Sequence, residues 1–414
     1  MLQRTTAAIL ISMLLLSVAS AFDTFWHSEL TRKVGDEFGF SEDARKIMQL
    51  GNFSPDFFGP VSDFASANLP GKAAQTLNQY GANNAQSREA AIFLHFDSLS
   101  GQLDSNAKFD YLFEQLLKNT QSALADFGKR SKLDDRTRKT LILITLGASL
   151  HAVQDFYSHS DWVHHDFSTS PAPPVHLPSG ELRAPTWFEF RAKAGDPAHW
   201  PFQTKSGLYP PVPDATATHT HMNHDNSRLM YREYETPGQP LVSQAKYHVA
   251  GNVPAKENDA AAAAAHQMYA FNTAAAAGSE WVKMVEQNAD AKAAIESAKS
   301  WNLKLTDPKL VKELEAGVIT QTVLSCAAGK WDGEDPPGDR GVLCKTVLDK
   351  SVGAASAKPS NLESVIVGVF TRTAFPYALK YTGKFWDVHR DYHVLDALTQ
   401  GIAAESREYQ FTAK

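Results

Sequence analysis

The stretch LGASLHAVQDFYSHSDWV, residues 146–163, decides the reading of this chain. It is apolar up to His151 and then places His151, Asp155 and His159 at steps of four. On an α-helix, residues four apart advance about 40° around the axis, so these three side chains share one face. Two imidazoles and a carboxylate converging there suit a borderline-soft divalent metal such as zinc, which accepts both nitrogen and carboxylate oxygen. The plainer alternative is a helix whose polar face happens to hold two of the chain's 15 histidines. The apolar run that precedes them favours the metal.

Outward from this helix, the pattern is helices joined by long irregular segments. Residues 105–129 and 134–160 read as two strong helices, the second capped by Asp134 or Asp135. Nearer the amino terminus, one helix is expected around TFWHSELTRKVGDEF and another around SEDARKIMQL, with Ser41 as N-cap and Glu42 and Asp43 in the first turn. GNFSPDFFGP (51–60) reads as a turn-rich break. Residues 168–218 are rich in Pro, Ser, Thr and aromatics with little periodicity, and a loop that long usually borders a binding site. An Ala-rich helix is expected over 256–288, containing His266, with further helical candidates at 307–325, 361–380 and 387–408. No alternating strand series and no internal repeat is visible, so the fold class is all-α, a multi-helix domain followed by a mostly helical C-terminal extension.

Arg4, the apolar run from Ala7 to Val18 and Ala19-Ser20-Ala21 form a signal peptide over residues 1–21, so the mature chain is expected to begin at Phe22, secreted or periplasmic. Cys326 and Cys344 lie 18 positions apart around the acidic loop WDGEDPPGD, and in an oxidising compartment they read as one disulfide. Hydrophobic residues make up 43% and charged residues 21%, with net charge −6, which argues against a nucleic-acid binder relying on a basic surface.

Three further elements accompany the central helix. WHSELTRKV places His27 on the first helix, GNFSPDFF carries Asp56, and FLHFDS carries His95. With LGASLHAVQD in the same order, these resemble the zinc-dependent phospholipase C family over about residues 24–165. Single-strand-specific zinc nucleases share the fold, and QDFYSHSDW also looks like the HET-C heterokaryon-incompatibility proteins of fungi and related bacterial phospholipases. The resemblance implies a helical catalytic domain over 22–300, an extension of unknown role over 301–414, and two or three Zn²⁺ ions at the base of a cleft. It makes His27, Asp56, His95, His151 and Asp155 metal ligands, with Asp155 bridging two ions and Asp56 also acting as catalytic base on water.

The sequence departs from the family pattern in three places. The histidine after the Asp comes at four residues, His159, rather than six. The expected mature terminus at Phe22 differs from the terminal Trp whose amine ligates in the family. No His-x-x-x-Glu follows Asp155; the late ligands are sought instead in His219, His221, His224 and Asp225 of THTHMNHDNS or in His266. His164 and His165 adjoin the end of the metal helix and could support its ligands, although surface exposure is the plainer expectation, and His389 with His393 has ligand-pair spacing without an evident third partner. Phe57, Phe58, Phe64, Trp162, Trp187, Phe188 and Trp200 could receive a lipid or its quaternary ammonium, although most such rings are packing. The function expected is a zinc phospholipase C acting on phosphatidylcholine-like lipid at a membrane surface. The alternatives are a zinc nuclease and a HET-C-like membrane-acting or interaction protein with a structural metal site.

Overall fold

The computed structural model describes residues 24–58, 92–96, 105–206, 248–249, 253–254, 260–301, 388 and 391–402. Among them are eight α-helices and only two antiparallel pairs of two-residue strands, Val175–His176 with Leu182–Arg183 and His248–Val249 with Val253–Pro254. The protein is all-α. The expected signal peptide over 1–21, the cysteine pair and the helical candidates at 307–325 and 361–380 lie outside the described residues.

Helix α1 (Thr24–Glu37) turns through Gly39 into α2 (Glu42–Phe58). Ser41 caps α2 as its sequence position predicts: its Oγ accepts from the Ala44 amide at 3.3 Å and donates to the carbonyl of Trp301 at 2.7 Å. The expected break at 51–60 is corrected, because α2 runs through Pro55 to Phe58. A proline in a helix interior removes the hydrogen bond to the carbonyl four residues back, here that of Gly51. The hydroxyl of Ser54 donates to that same carbonyl at 2.7 Å and replaces the missing partner. Asp56 therefore stands on a helix, one turn beyond Asn52, and not in a turn.

Helix α3 (Ser105–Lys129) and helix α4 (Asp135–His159) match the expected spans. Asp134 is the N-cap of α4, accepting from the Thr137 amide at 2.9 Å. Every residue of α4 from Thr140 to His159 is buried. A helix buried on all sides belongs at the centre of a fold, and the polar groups it carries there need partners. Here α1, α2, α3 and three later helices pack around it: α6 (Ala260–Val285), α7 (Ala289–Lys299) and α8 (Val394–Thr399). The Ala-rich segment ends at Val285, and Asn288 caps a separate helix α7 through the amides of Asp290 and Ala291.

Among the described residues of the irregular region 168–218 is an α-helix that its composition hides, α5 (Trp187–Ala194). Thr186 and Glu189 form a reciprocal capping box at its start, and Tyr157 of α4 accepts the Trp187 amide at 2.8 Å. The rings of Trp162, Trp187 and Trp200 are buried together, with Trp187 and Trp200 4.7 Å apart, so they are core and not a lipid surface. Phe188 packs against Trp281 at 6.0 Å. The side chains of Phe57 and Phe58, and all of Phe64, lie outside what is described. Among the described residues no helix is long and apolar enough to cross a membrane.

Beside the capping box, Thr186 donates from its hydroxyl to Glu280 of α6, while Arg183 holds Glu189 through two bonds of 2.7 Å. Burial pushes the Glu280 carboxyl up from 4.5 to about 7, and Glu189 adds to that shift. Because the folded value is raised, the stability it contributes is fully present below about 4.5 and lost as pH rises through about 7. Glu280→Gln should therefore exceed the wild type in stability at about pH 8, by up to roughly 3 kcal/mol, and match it near pH 4.5. Denaturant midpoints at the two pH values check this; an equal difference at both contradicts it.

Candidate metal centre

The centre is assembled from three separate parts of the chain. α1 contributes His27, the 3₁₀ turn Ile92–His95 contributes His95, and α4 contributes His151 and Asp155 one turn apart. All four are nearly inaccessible to solvent: His27 2%, His95 6%, His151 0% and Asp155 0%. The carboxylate is the hub. Its Oδ1 lies 2.9 Å from His27 Nε2, and its Oδ2 lies 2.6 Å from His95 Nδ1 and 3.0 Å from His151 Nε2. The imidazoles of His27 and His151 stack with centroids 4.3 Å apart, and His95 stands edge-on to His151 at 5.0 Å.

His95 owes its position to the residue after it. Phe96 adopts φ 52°, a left-handed conformation that costs a non-glycine residue roughly 1–2 kcal/mol. Its buried ring offsets this by packing on Phe113 at 4.5 Å and Phe156 at 5.7 Å. Phe156 immediately follows Asp155, so the same aromatic contact that holds Phe96 also holds the backbone beneath the carboxylate.

His27, His151 and Asp155 each offer one ligand atom, and these atoms lie within 4.8 Å of one another, so this buried group could hold a metal ion. Ligand atoms on a tetrahedral ion with bonds of ~2.0–2.1 Å sit about 3.3 Å apart. The N–O separations of 2.9 and 3.0 Å need to open only by a few tenths of an ångström to reach that spacing. Protonation states fit as well. Burial pushes His151 down to about 3 against the opposing pull of Asp155, which leaves a neutral ring with a lone pair. Burial would raise the Asp155 carboxyl, but His151 and His27 beside it outweigh that and hold it well below 3.8. An anionic carboxylate beside a neutral imidazole is the state a divalent cation binds.

Polar side chains support the ligands from behind. Gln154 Oε1 lies 2.7 Å from His27 Nδ1 and accepts from Asn52 Nδ2 at 3.0 Å, while Gln154 Nε2 donates to Thr31 Oγ1 at 3.5 Å. Sequence reading missed Gln154, Asn52 and Thr31. The one available signal was position, since Gln154 is adjacent to Asp155 and Thr31 lies one turn after His27.

Of the remaining candidates, His159 is buried at the end of α4, its ring 6.5 Å from that of His95, outside the His27–His151–Asp155 group. Asp56 and His266 are placed as helical backbone, in α2 and α6, and their side chains lie outside what is described. His219, His221, His224, Asp225 and His389 lie outside the described residues. The surface expectation for His164 and His165 is corrected. The 3₁₀ turn Trp162–His164 folds back under the α4 terminus, burying His164, while His165 is only partly exposed and stacks on Phe202 at 4.2 Å. His393 is exposed and faces Asp396 at 3.3 Å. No known family model, curated protein or solved structure matches this chain.

Proposed function

We propose that the chain is an exported zinc-dependent phosphodiester hydrolase, a phospholipase C releasing diacylglycerol and a phosphorylated head group from phosphatidylcholine-like lipid. The observation that carries this reading is the convergence of His27, His95 and His151 on one buried carboxylate, Asp155. Three imidazoles around a shared carboxylate make a donor set that would suit Zn²⁺, and the histidines at both oxygens of Asp155 support a proposal of more than one ion. When bound, such ions supply a Lewis acid that ionises water near neutral pH and neutralises charge on a phosphodiester. The chain's own groups hold that centre: Asp155 supplies the negative charge, His151 and His27 ring nitrogens, and the buried rings of Phe96 and Phe156 exclude water behind it. Asp56, on α2, is assigned the general-base role toward water.

One observation favours a second reading. Catalytic metal sites keep an open coordination position, whereas structural sites are closed. With His151 and Asp155 at 0% exposure, this centre has the burial of a closed site, which suits a membrane-acting or interaction protein stapled by its metal.

A product assay separates the two. Phosphatidylcholine vesicles carrying an entrapped dye, single-stranded DNA and RNA are incubated with the protein, with and without added zinc and a chelator. The proposal expects phosphocholine and diacylglycerol, abolished by chelation and by Asp56→Asn even where that variant keeps its metal. Nucleotide release under the same chelator control points to a nuclease. Dye release from uncleaved lipid, unchanged in Asp56→Asn, supports the structural reading and overturns the proposed one.

A further inference from the structure

We propose that Gln154 is a positioning residue for His27, and that the close crossing of α2 and α4 exists to hold it. The inference rests on the metal-binding reading of the centre. An amide oxygen can only accept, so at 2.7 Å from Gln154 Oε1 the Nδ1 of His27 must carry the proton. That leaves Nε2 as the ring nitrogen facing Asp155 Oδ1, at 2.9 Å. A nitrogen and a carboxylate oxygen at that distance share a cation: a proton on Nε2 in the metal-free protein, which a divalent ion would replace on binding. Were Gln154 turned the other way, its NH₂ would face the Asn52 amide NH₂ at 3.0 Å, two donors in contact. As the amides stand, Asn52 supports the orientation of Gln154, Gln154 holds the Nδ1 proton of His27, and Nε2 of His27 is left facing Asp155. Metal-bound histidines in general have the second ring nitrogen held by such an acceptor.

The backbone shows why Asn52 can reach. Gly51 and Gly147 lie at the crossing. A Cβ on Gly147 would stand 2.0 Å from the Met48 carbonyl oxygen and 2.8 Å from the Asn52 nitrogen, and one on Gly51 would stand 2.4 Å from the Ile144 carbonyl oxygen. Only glycine at both positions lets the two helices approach this closely. The result is that Asn52 and Gln154, both buried, meet side chain to side chain.

The test has two arms. In metal-free wild-type protein at about pH 8, where an ordinary imidazole is neutral, long-range ¹⁵N–¹H spectra should show His27 with its proton on Nδ1. A ring with no proton on Nδ1 overturns the proposal, whether or not the protein binds metal. In the second arm, Zn²⁺ affinity is measured by competition with a chromophoric chelator. Gln154→Met, which keeps the length but not the acceptor, should bind Zn²⁺ about 10–100-fold more weakly. Gln154→Glu, which restores an acceptor toward both His27 and Asn52, should stay within about threefold of wild type. Unchanged affinity in Gln154→Met, or equal loss in both variants, overturns the proposal. Should Gln154→Met fail to fold, the wild-type spectrum and Gln154→Glu carry the test. A wild-type protein that takes up no Zn²⁺ defeats the metal reading instead, and the tautomer still decides the role of Gln154.

Discussion

Asp155→Ala is expected to lose the metal outright and to unfold more easily than the wild type. Its two oxygens are the acceptors around which His27, His95 and His151 are arranged, at 2.9, 2.6 and 3.0 Å. Removing one partner of a buried charged cluster costs about 3–5 kcal/mol, because the remaining polar groups lose both their partner and access to water. Asp155→Asn keeps the volume and one acceptor oxygen, so it should lose less stability but still bind metal far more weakly, having no negative charge. Denaturant unfolding of the metal-free proteins measures the first effect and Zn²⁺ titration the second. An alanine variant as stable as wild type and still loaded with metal would place the metal elsewhere.

The second large effect is expected at Gly147. In an open helix, alanine in place of glycine stabilises by about 1 kcal/mol. Here the new methyl would lie 2.0 Å from a backbone carbonyl of α2, and backbone on both sides cannot swing aside. Gly147→Ala should therefore destabilise by roughly 3 kcal/mol, at the upper end of overpacking costs, by forcing α2 away from α4. The same displacement pulls Asn52 off Gln154, so Zn²⁺ affinity should fall along with stability. A variant with wild-type or higher stability would show that the crossing is loose.

The parts of this fold written locally were legible. The Asp134 cap, the apolar run and the histidines of α4 gave that helix to within a residue, and Ser41 gave the start of α2. His151 and Asp155 declared themselves by spacing alone. His27 and His95 did not. They approach Asp155 from 128 and 60 residues away, and only the resemblance of short motifs marked them. Pro55 misled because its helix-breaking tendency is a local rule, and Ser54 answers it with a side-chain bond that composition does not reveal. Helix α5 was hidden in a Pro-rich stretch, although Thr186 and Glu189 carried the capping-box spacing that could have found it. The tryptophans read mainly as packing, and Trp162, Trp187 and Trp200 are indeed buried; the sequence alone left a lipid contact open because aromatic residues have the same chemistry in a core. Gln154 and Asn52 were invisible for a different reason: a buried amide pair has no periodic signature, and its meaning comes from two glycines that let separate helices touch.

Metal content is the measurement that tests the central claim most directly. Wild-type protein and Asp155→Ala would be purified without chelator from an exporting host and submitted to elemental analysis. A centre of this donor type should hold about one or more equivalents of zinc per chain in the wild type, and almost none in the variant. Wild-type protein essentially free of transition metal, or the same zinc content in both, would contradict the account.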